Sequence, residues 1–268
     1  MKETDTHLRR WTIVAIYAIA MAWVESAVVF YLRTMIDRID PYQPDPLVPV
    51  LHGMGKAELI RELSTIIMLG TVGMLAGRNF KSRAGFFVIA FGIWDIFYYV
   101  FLKVMTGWPN SLFDWDLLFL IPLPWWGPVW SPVAIALLMI AWGTWASRSS
   151  TEIKTPTASR KAWVLATVGA GIALYVFTTD ALQVCIVGGS LGKLLPVTFD
   201  STLFLVGFAL MSVPLAEMFL GRGKSGEGPL QNFDYGKWLA HFKGNRALHN
   251  VGSRKTRIMT GSLDNPNL

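Results

Sequence analysis

Four carboxylates, Glu25, Glu62, Asp95 and Asp180, lie within or at the rims of long apolar runs. Inside a lipid-spanning helix a carboxylate costs about 2.5 to 3.5 kcal/mol on insertion scales, so a sequence that keeps several has a use or a partner for them. Asp95 stands out because it lies near the middle of its run and the nearest cation on the same run, Lys103, is two helical turns away. A charge so placed is the most expensive to desolvate, which makes Asp95 the candidate to exchange a proton. Tyr99 and Lys103 share its helical face and extend it toward the end of the run as a ladder. Glu25, Glu62, Asp95, Tyr99 and Asp180 are therefore the expected ligand- or proton-binding set.

Two plainer chemistries compete with that expectation. The acids can be tied internally, Glu62 or Glu58 with Arg61 and Glu25 with Arg33, and serve only to hold helices together. Glu25, Glu62 and Asp95 with His52 would alternatively offer a hard cation an oxygen-rich site. No Glu-x-x-His pair of the di-iron type is present, and the expectation is no metal.

A second group of residues has the chemistry of a cover. Between Lys103 and Arg148 there is no Lys or Arg, and GWPNSLFDWDLLFLIPLPWWGPVWSP packs five Trp and five Pro into that interval. Tryptophan concentrates at membrane interfaces whatever the function. An aromatic belt alone does not call for Asp114 and Asp116 on either side of Trp115, so Trp108, Asp114, Trp115, Asp116, Trp125 and Trp126 are read as a lid over the acids or a docking face. Prolines at 122, 124, 128 and 132 interrupt any straight helix, and the expectation for Leu117 to Pro128 is a short outer helix or a re-entrant or interfacial segment.

The elements that must position these groups follow from hydropathy. The chain is 53% hydrophobic and only 16% charged, against about 25% charged in soluble domains, which identifies lipid as the solvent. Six runs reach the roughly 20 residues that a span needs: about 11–32, 57–77, 84–105, 129–146, 162–184 and 201–220. The expected fold is an all-α six-transmembrane-helix bundle. Small residues at helical spacing, Ala15, Ala18 and Ala22 before Glu25, Gly70, Gly73 and Gly77 after Glu62, Gly85 and Gly92 before Asp95, and Gly169 and Ala173 before Asp180, place each acid on a face that packs against another helix.

Charge gives the direction. With the N-terminus inside, the inner segments carry 18 Lys/Arg and the outer ones six, a split that holds at every loop. That asymmetry predicts an N-in, C-in protein of a bacterial-type plasma membrane, with the acids at or outward of the midplane. Arg9 and Arg10 before an apolar stretch reaching Ala20-Met21-Ala22 imitate a secretory signal, but the run continues well past that site and is read as an uncleaved helix. The Ser/Thr-rich stretch from Ser147 to Ser159 reads as a hinge between four helices and two. Residues 221–268 form a basic tail in which Asp234 caps a short interfacial helix bearing Trp238, Leu239 and Phe242.

Several classes are set aside on residue supply. Cys185 is the only cysteine, and His7, His52, His241 and His249 all fall outside the apolar runs, so neither a thiolate cluster nor a bis-histidine haem is expected. No basic stripe interleaved with aromatics marks a nucleic-acid binder, and Gly188 to Lys193 lacks the Lys-Ser/Thr pair of a phosphate-binding loop. The expected partners are membrane lipids and other membrane subunits.

What survives is an integral subunit or binding protein without catalytic activity of its own, whose outward carboxylate and aromatic pocket takes a proton-coupled or quinone-like ligand or a bound lipid. A small proton- or cation-coupled transporter is the alternative. An intramembrane enzyme acting on a lipid or isoprenoid is the second alternative.

Overall fold

A computed structural model describes residues 3–42, 54–149, 155, 157–187 and 198–220. The tail 221–268 with its expected interfacial helix, and the loop 43–53 with His52, lie outside the described residues. The fold is mostly helical: α1 (Glu3–Met35), α2 (Met54–Ala76), α3 (Phe80–Thr106), α4 (Trp130–Ser147), α5 (Arg160–Val187) and α6 (Ser201–Phe219). All six are long and apolar enough to cross a membrane.

The interval between α3 and α4 departs from expectation. Leu117 to Pro128 forms no short helix; strands β1 (Trp115–Phe119) and β2 (Trp125–Pro128) pair as an antiparallel hairpin. The prolines explain the choice. A helix would lose an amide at each of them, whereas the hairpin puts Pro122 and Pro124 in its connecting loop and Pro128 at the end of a strand, where no ladder donor is required. Trp115 lies opposite Pro128 and Asp116 opposite Gly127, and a bulge between Leu117 and Phe119 shifts the register so that Phe119 meets Trp125.

Helix α3 is the axis around which α1, α2 and α4 pack. It begins at Asn79, whose side chain accepts the Ser82 amide at 2.9 Å, and ends at Gly107, whose left-handed φ of 78° lets its amide reach the Lys103 carbonyl. The alanine stripe of α1 is buried against it, together with Leu69 of α2 and Phe86, Ile89 and Ala90 of α3 itself. The glycines act by close approach. A Cβ on Gly92 would stand 2.6 Å from the Ala136 carbonyl oxygen, and one on Gly73 2.7 Å from the Phe87 amide. Gly70, on the same stripe of α2, faces open space instead.

Helices α5 and α6 form their own pair, brought together where Gly169 faces Gly207. This pair meets the first four helices mainly at two places. Near the hairpin, Trp125 stacks on Phe177 of α5 with ring centroids 5.9 Å apart, and Trp130 meets Phe204 of α6 edge-on at 5.1 Å. At the opposite end, Trp142 meets Trp163 and Trp145 meets Phe219; there too Glu217 of α6 accepts the Ser159 amide and hydroxyl, just before α5, at 2.8 and 2.9 Å.

Candidate functional site

The hairpin end of the bundle gathers most of the acids, and the helices and strands that carry them account for how. Glu25, one turn beyond the alanine stripe of α1, is buried and faces α2, where Thr65 donates to its Oε1 at 2.6 Å. Arg61 pairs with its Oε2 and reaches Glu58 on its own helix at 2.7 Å. The expected Glu58 to Arg61 tie is present. Glu25 takes Arg61 as its partner in place of Arg33.

Arg33 is committed elsewhere. It reaches Asp116 of β1 at 2.7 Å, and its guanidinium lies 4.4 Å from the centre of the Trp108 ring. Asp116 is fully buried; it also accepts the Leu117 amide at 2.9 Å, and the Tyr99 hydroxyl approaches it, though its Oδ2 has no hydrogen bond of full geometry. Burial pushes the Asp116 carboxyl up from its ordinary value, while the Arg33 guanidinium, the Leu117 amide and Tyr99 pull the other way.

Glu62 serves the hairpin directly. Both of its oxygens accept the Leu120 amide at 3.0 Å, just past the end of β1. A two-stranded hairpin leaves outward amides without ladder partners, and in a low-dielectric layer each must be satisfied. Glu62 supplies one such partner and Asp116 another. Asp114 closes the preceding loop by accepting the Asn110 amide at 2.6 Å and the Ser111 hydroxyl at 2.9 Å.

The remaining expected residues fall into place around this layer. Trp108 and Trp126 are buried, and Trp115 stacks on Tyr42 at 5.7 Å and meets Phe199 edge-on at 6.1 Å. Asp180 stands apart, bonding the Thr198 hydroxyl at 3.2 Å and so tying the end of α5 to the start of α6. Lys103 does not continue a ladder from Asp95 and Tyr99; it turns to the Gly107 carbonyl at 2.6 Å. Among the described residues no group of three or more His, Cys, Asp or Glu is placed to hold a metal ion, and His52 lies outside them.

Asp95 is the exception to this pattern of pairing. It is 9% exposed, and among the described residues no hydrogen bond or ion pair reaches it. The charge that acts on it most is that of Asp116, which is repulsive. Its carboxyl lines a cavity of about 70 Å³ at the seam between α3, the hairpin, α4 and α5. Phe91, Phe119, Trp125 and Phe177 supply an aromatic wall, and Leu118 of β1 with Pro132, Ile135, Ala136 and Met139 of α4 the rest of its apolar lining. The rings form a connected run, with Phe91 to Phe119 at 6.0 Å, Phe119 to Trp125 at 5.6 Å and Trp125 to Phe177 at 5.9 Å. The Trp125 indole N–H is buried as well, with no acceptor among the described residues.

The sequence points to Arg33 and Arg61 as partners of the acids but not to Asp116 as the partner of Arg33 or Glu25 as that of Arg61, and it does not mark Phe91, Phe119 and Phe177 as the wall. The arginines did leave a signal. They sit at the ends of apolar runs on the side poor in basic residues, where a cation with no partner would be out of place. The phenylalanines left none, since Phe is ordinary in a spanning helix, as at Phe91 and Phe177, and in an interfacial segment, as at Phe119. Comparison of the chain with protein-family models, with curated proteins and with solved structures gives no match.

Proposed function

We propose that this protein is an integral membrane binding protein, or the binding subunit of a membrane complex, whose outward-facing pocket takes a small amphipathic ligand in exchange for the proton of Asp95. The observation that carries this reading is the contrast around Asp95: Glu25, Glu58, Glu62, Asp114 and Asp116 each have a partner, and this one, with none among the described residues, lines a cavity instead. A buried carboxylate without counter-charge carries a penalty of several kcal/mol, so the site holds a proton or a cation whenever it is stable. The aromatic wall provides the apolar slot and the hairpin the cover. Orientation rests on the basic-residue asymmetry of the loops, which puts the hairpin outside.

Size narrows the ligand. A cavity of roughly 150 Å³ accommodates benzene. The present one, about 70 Å³, encloses a headgroup and not a quinone ring. A quinone-like ligand would enter only if the hairpin and the α4 to α5 seam moved apart.

Transport is the second reading, favoured by the position of the cavity at the seam between the four-helix and two-helix groups. It requires a path to the other end, where Trp142, Trp145, Trp163 and Phe219 pack and Glu217 is engaged by Ser159.

Native mass spectrometry of the protein extracted directly into lipid nanodiscs tests the binding reading. The wild type is expected to carry a bound small molecule beyond bulk phospholipid, and Asp95→Asn and Met139→Trp to lose it. A wild type that carries nothing, or variants that keep the same molecule, would contradict the reading.

A further inference from the structure

Within the binding reading above, we infer that the group received beside Asp95 is an organic ammonium, the cationic head of a lipophilic amine. Four observations converge on this chemistry. The carboxyl is buried, lines the cavity and has no partner among the described residues. One wall of its cavity is made of four aromatic rings, and the electron-rich face of such a ring attracts a cation. The volume of about 70 Å³ suits an ammonium with its adjoining methylenes and is well below the roughly 150 Å³ that takes benzene. Finally, among the described residues Arg33, Arg61 and Lys103, the cations on the elements around the site, are all engaged elsewhere.

That last point follows from the groups on each element packed around the site. From α1, Arg33 is held by Asp116 and stacked on Trp108, and Glu25 is taken up by Arg61 and Thr65. From α2, Arg61 is shared between Glu25 and Glu58, and Glu62 by the Leu120 amide. From the hairpin, Asp116 adds negative charge near Asp95. On α3 itself the ionisable neighbours are Tyr98 and Tyr99, and the cavity faces of α4 and α5 contribute only apolar side chains.

Binding then exchanges one positive charge for another. The ammonium nitrogen donates to the Asp95 carboxylate, the carboxyl proton leaves to solvent, and no covalent bond of the ligand changes. The lining residues Pro132, Ile135 and Met139 are only half-buried, which leaves room for an alkyl chain to pass from the head toward lipid beside α4.

The test uses the full chain in nanodiscs of uncharged lipid with two probes of equal length, octylammonium and octanol. Saturable binding of octylammonium at one per chain is expected, at least about tenfold tighter than octanol, the ratio that about 1.4 kcal/mol of charge recognition gives. Asp95→Asn removes the preference. Phe177→Leu, which keeps the carboxyl and deletes one aromatic face, weakens octylammonium about threefold or more and leaves octanol within about twofold. Equal affinity for the two probes, or a preference that survives Asp95→Asn, overturns the ammonium assignment while leaving a binding pocket. If neither probe binds saturably to protein that still unfolds cooperatively, and no molecule is retained in the native preparation, the binding reading falls with it.

Discussion

Asp116 and Asp95 are neighbours withdrawn from water to a similar degree, yet their surroundings differ in kind. Asp116 has the Arg33 guanidinium, the Leu117 amide and the Tyr99 hydroxyl around it. Asp95 has a cavity, a row of aromatic rings and a repulsive neighbour. The first arrangement is what a structural ion pair requires, with the charge neutralised and its lone pairs mostly occupied. The second is a poor way to stabilise anything. Side by side, they separate the acids that assemble the hairpin end from the one that this assembly leaves available.

The comparison can be broken most forcefully at Arg33. Arg33→Met strands a fully buried carboxylate, and a loss of about 3 to 5 kcal/mol is expected in unfolding measurements in bicelles, with most of it recovered in the Arg33→Met/Asp116→Leu double variant. If the single variant unfolds like the wild type, Asp116 is not held by Arg33.

A smaller effect belongs to the close contact of α3 with α4 at Gly92 and Ala136, the latter a lining residue of the cavity. Gly92→Ala pushes a methyl against the Ala136 carbonyl, which is backbone and cannot rotate away, so about 1 to 3 kcal/mol should be lost. A neutral result would mean that α3 and α4 are not in close contact there.

Glu62→Gln comes next. The amide oxygen still accepts from Leu120 but without charge, and about 1 kcal/mol is expected, read as faster amide exchange at Leu120. Unchanged exchange would remove Glu62 from the support of the hairpin.

Asp95→Asn should have the smallest effect on stability, within about 0.5 kcal/mol of wild type or stabilising, since no interaction is broken. A loss as large as that of Arg33→Met would erase the distinction between the two aspartates and return Asp95 to the structural set.

Much of the frame was legible in the residues. The six apolar runs announce the six helices, and the small-residue stripes identify packed faces, because in lipid close approach depends on side-chain size at helical spacing. Asp95 was legible for the same reason, as a charge with nothing near it in sequence. The pairings were not. Arg61 and Glu25 are 36 residues apart and Arg33 and Asp116 are 83, and nothing local distinguishes Arg61 from Arg33 as the partner of Glu25. The hairpin escaped because its strands are only five and four residues long and rich in Trp and Pro, with no clean alternation to separate them from an interfacial segment. Glu62 of α2 satisfies the Leu120 amide just past its first strand, a contact that arises only once the helices have assembled.

Asp95 should hold a proton that a ligand displaces. Infrared difference spectroscopy of the wild type and Asp95→Asn in nanodiscs, recorded on adding octylammonium, addresses that directly. The account predicts loss of a protonated-carboxyl stretching band in the wild type, with a matching gain in carboxylate absorption, and neither change in Asp95→Asn. A wild-type spectrum with no such loss, or the same loss in Asp95→Asn, would contradict it.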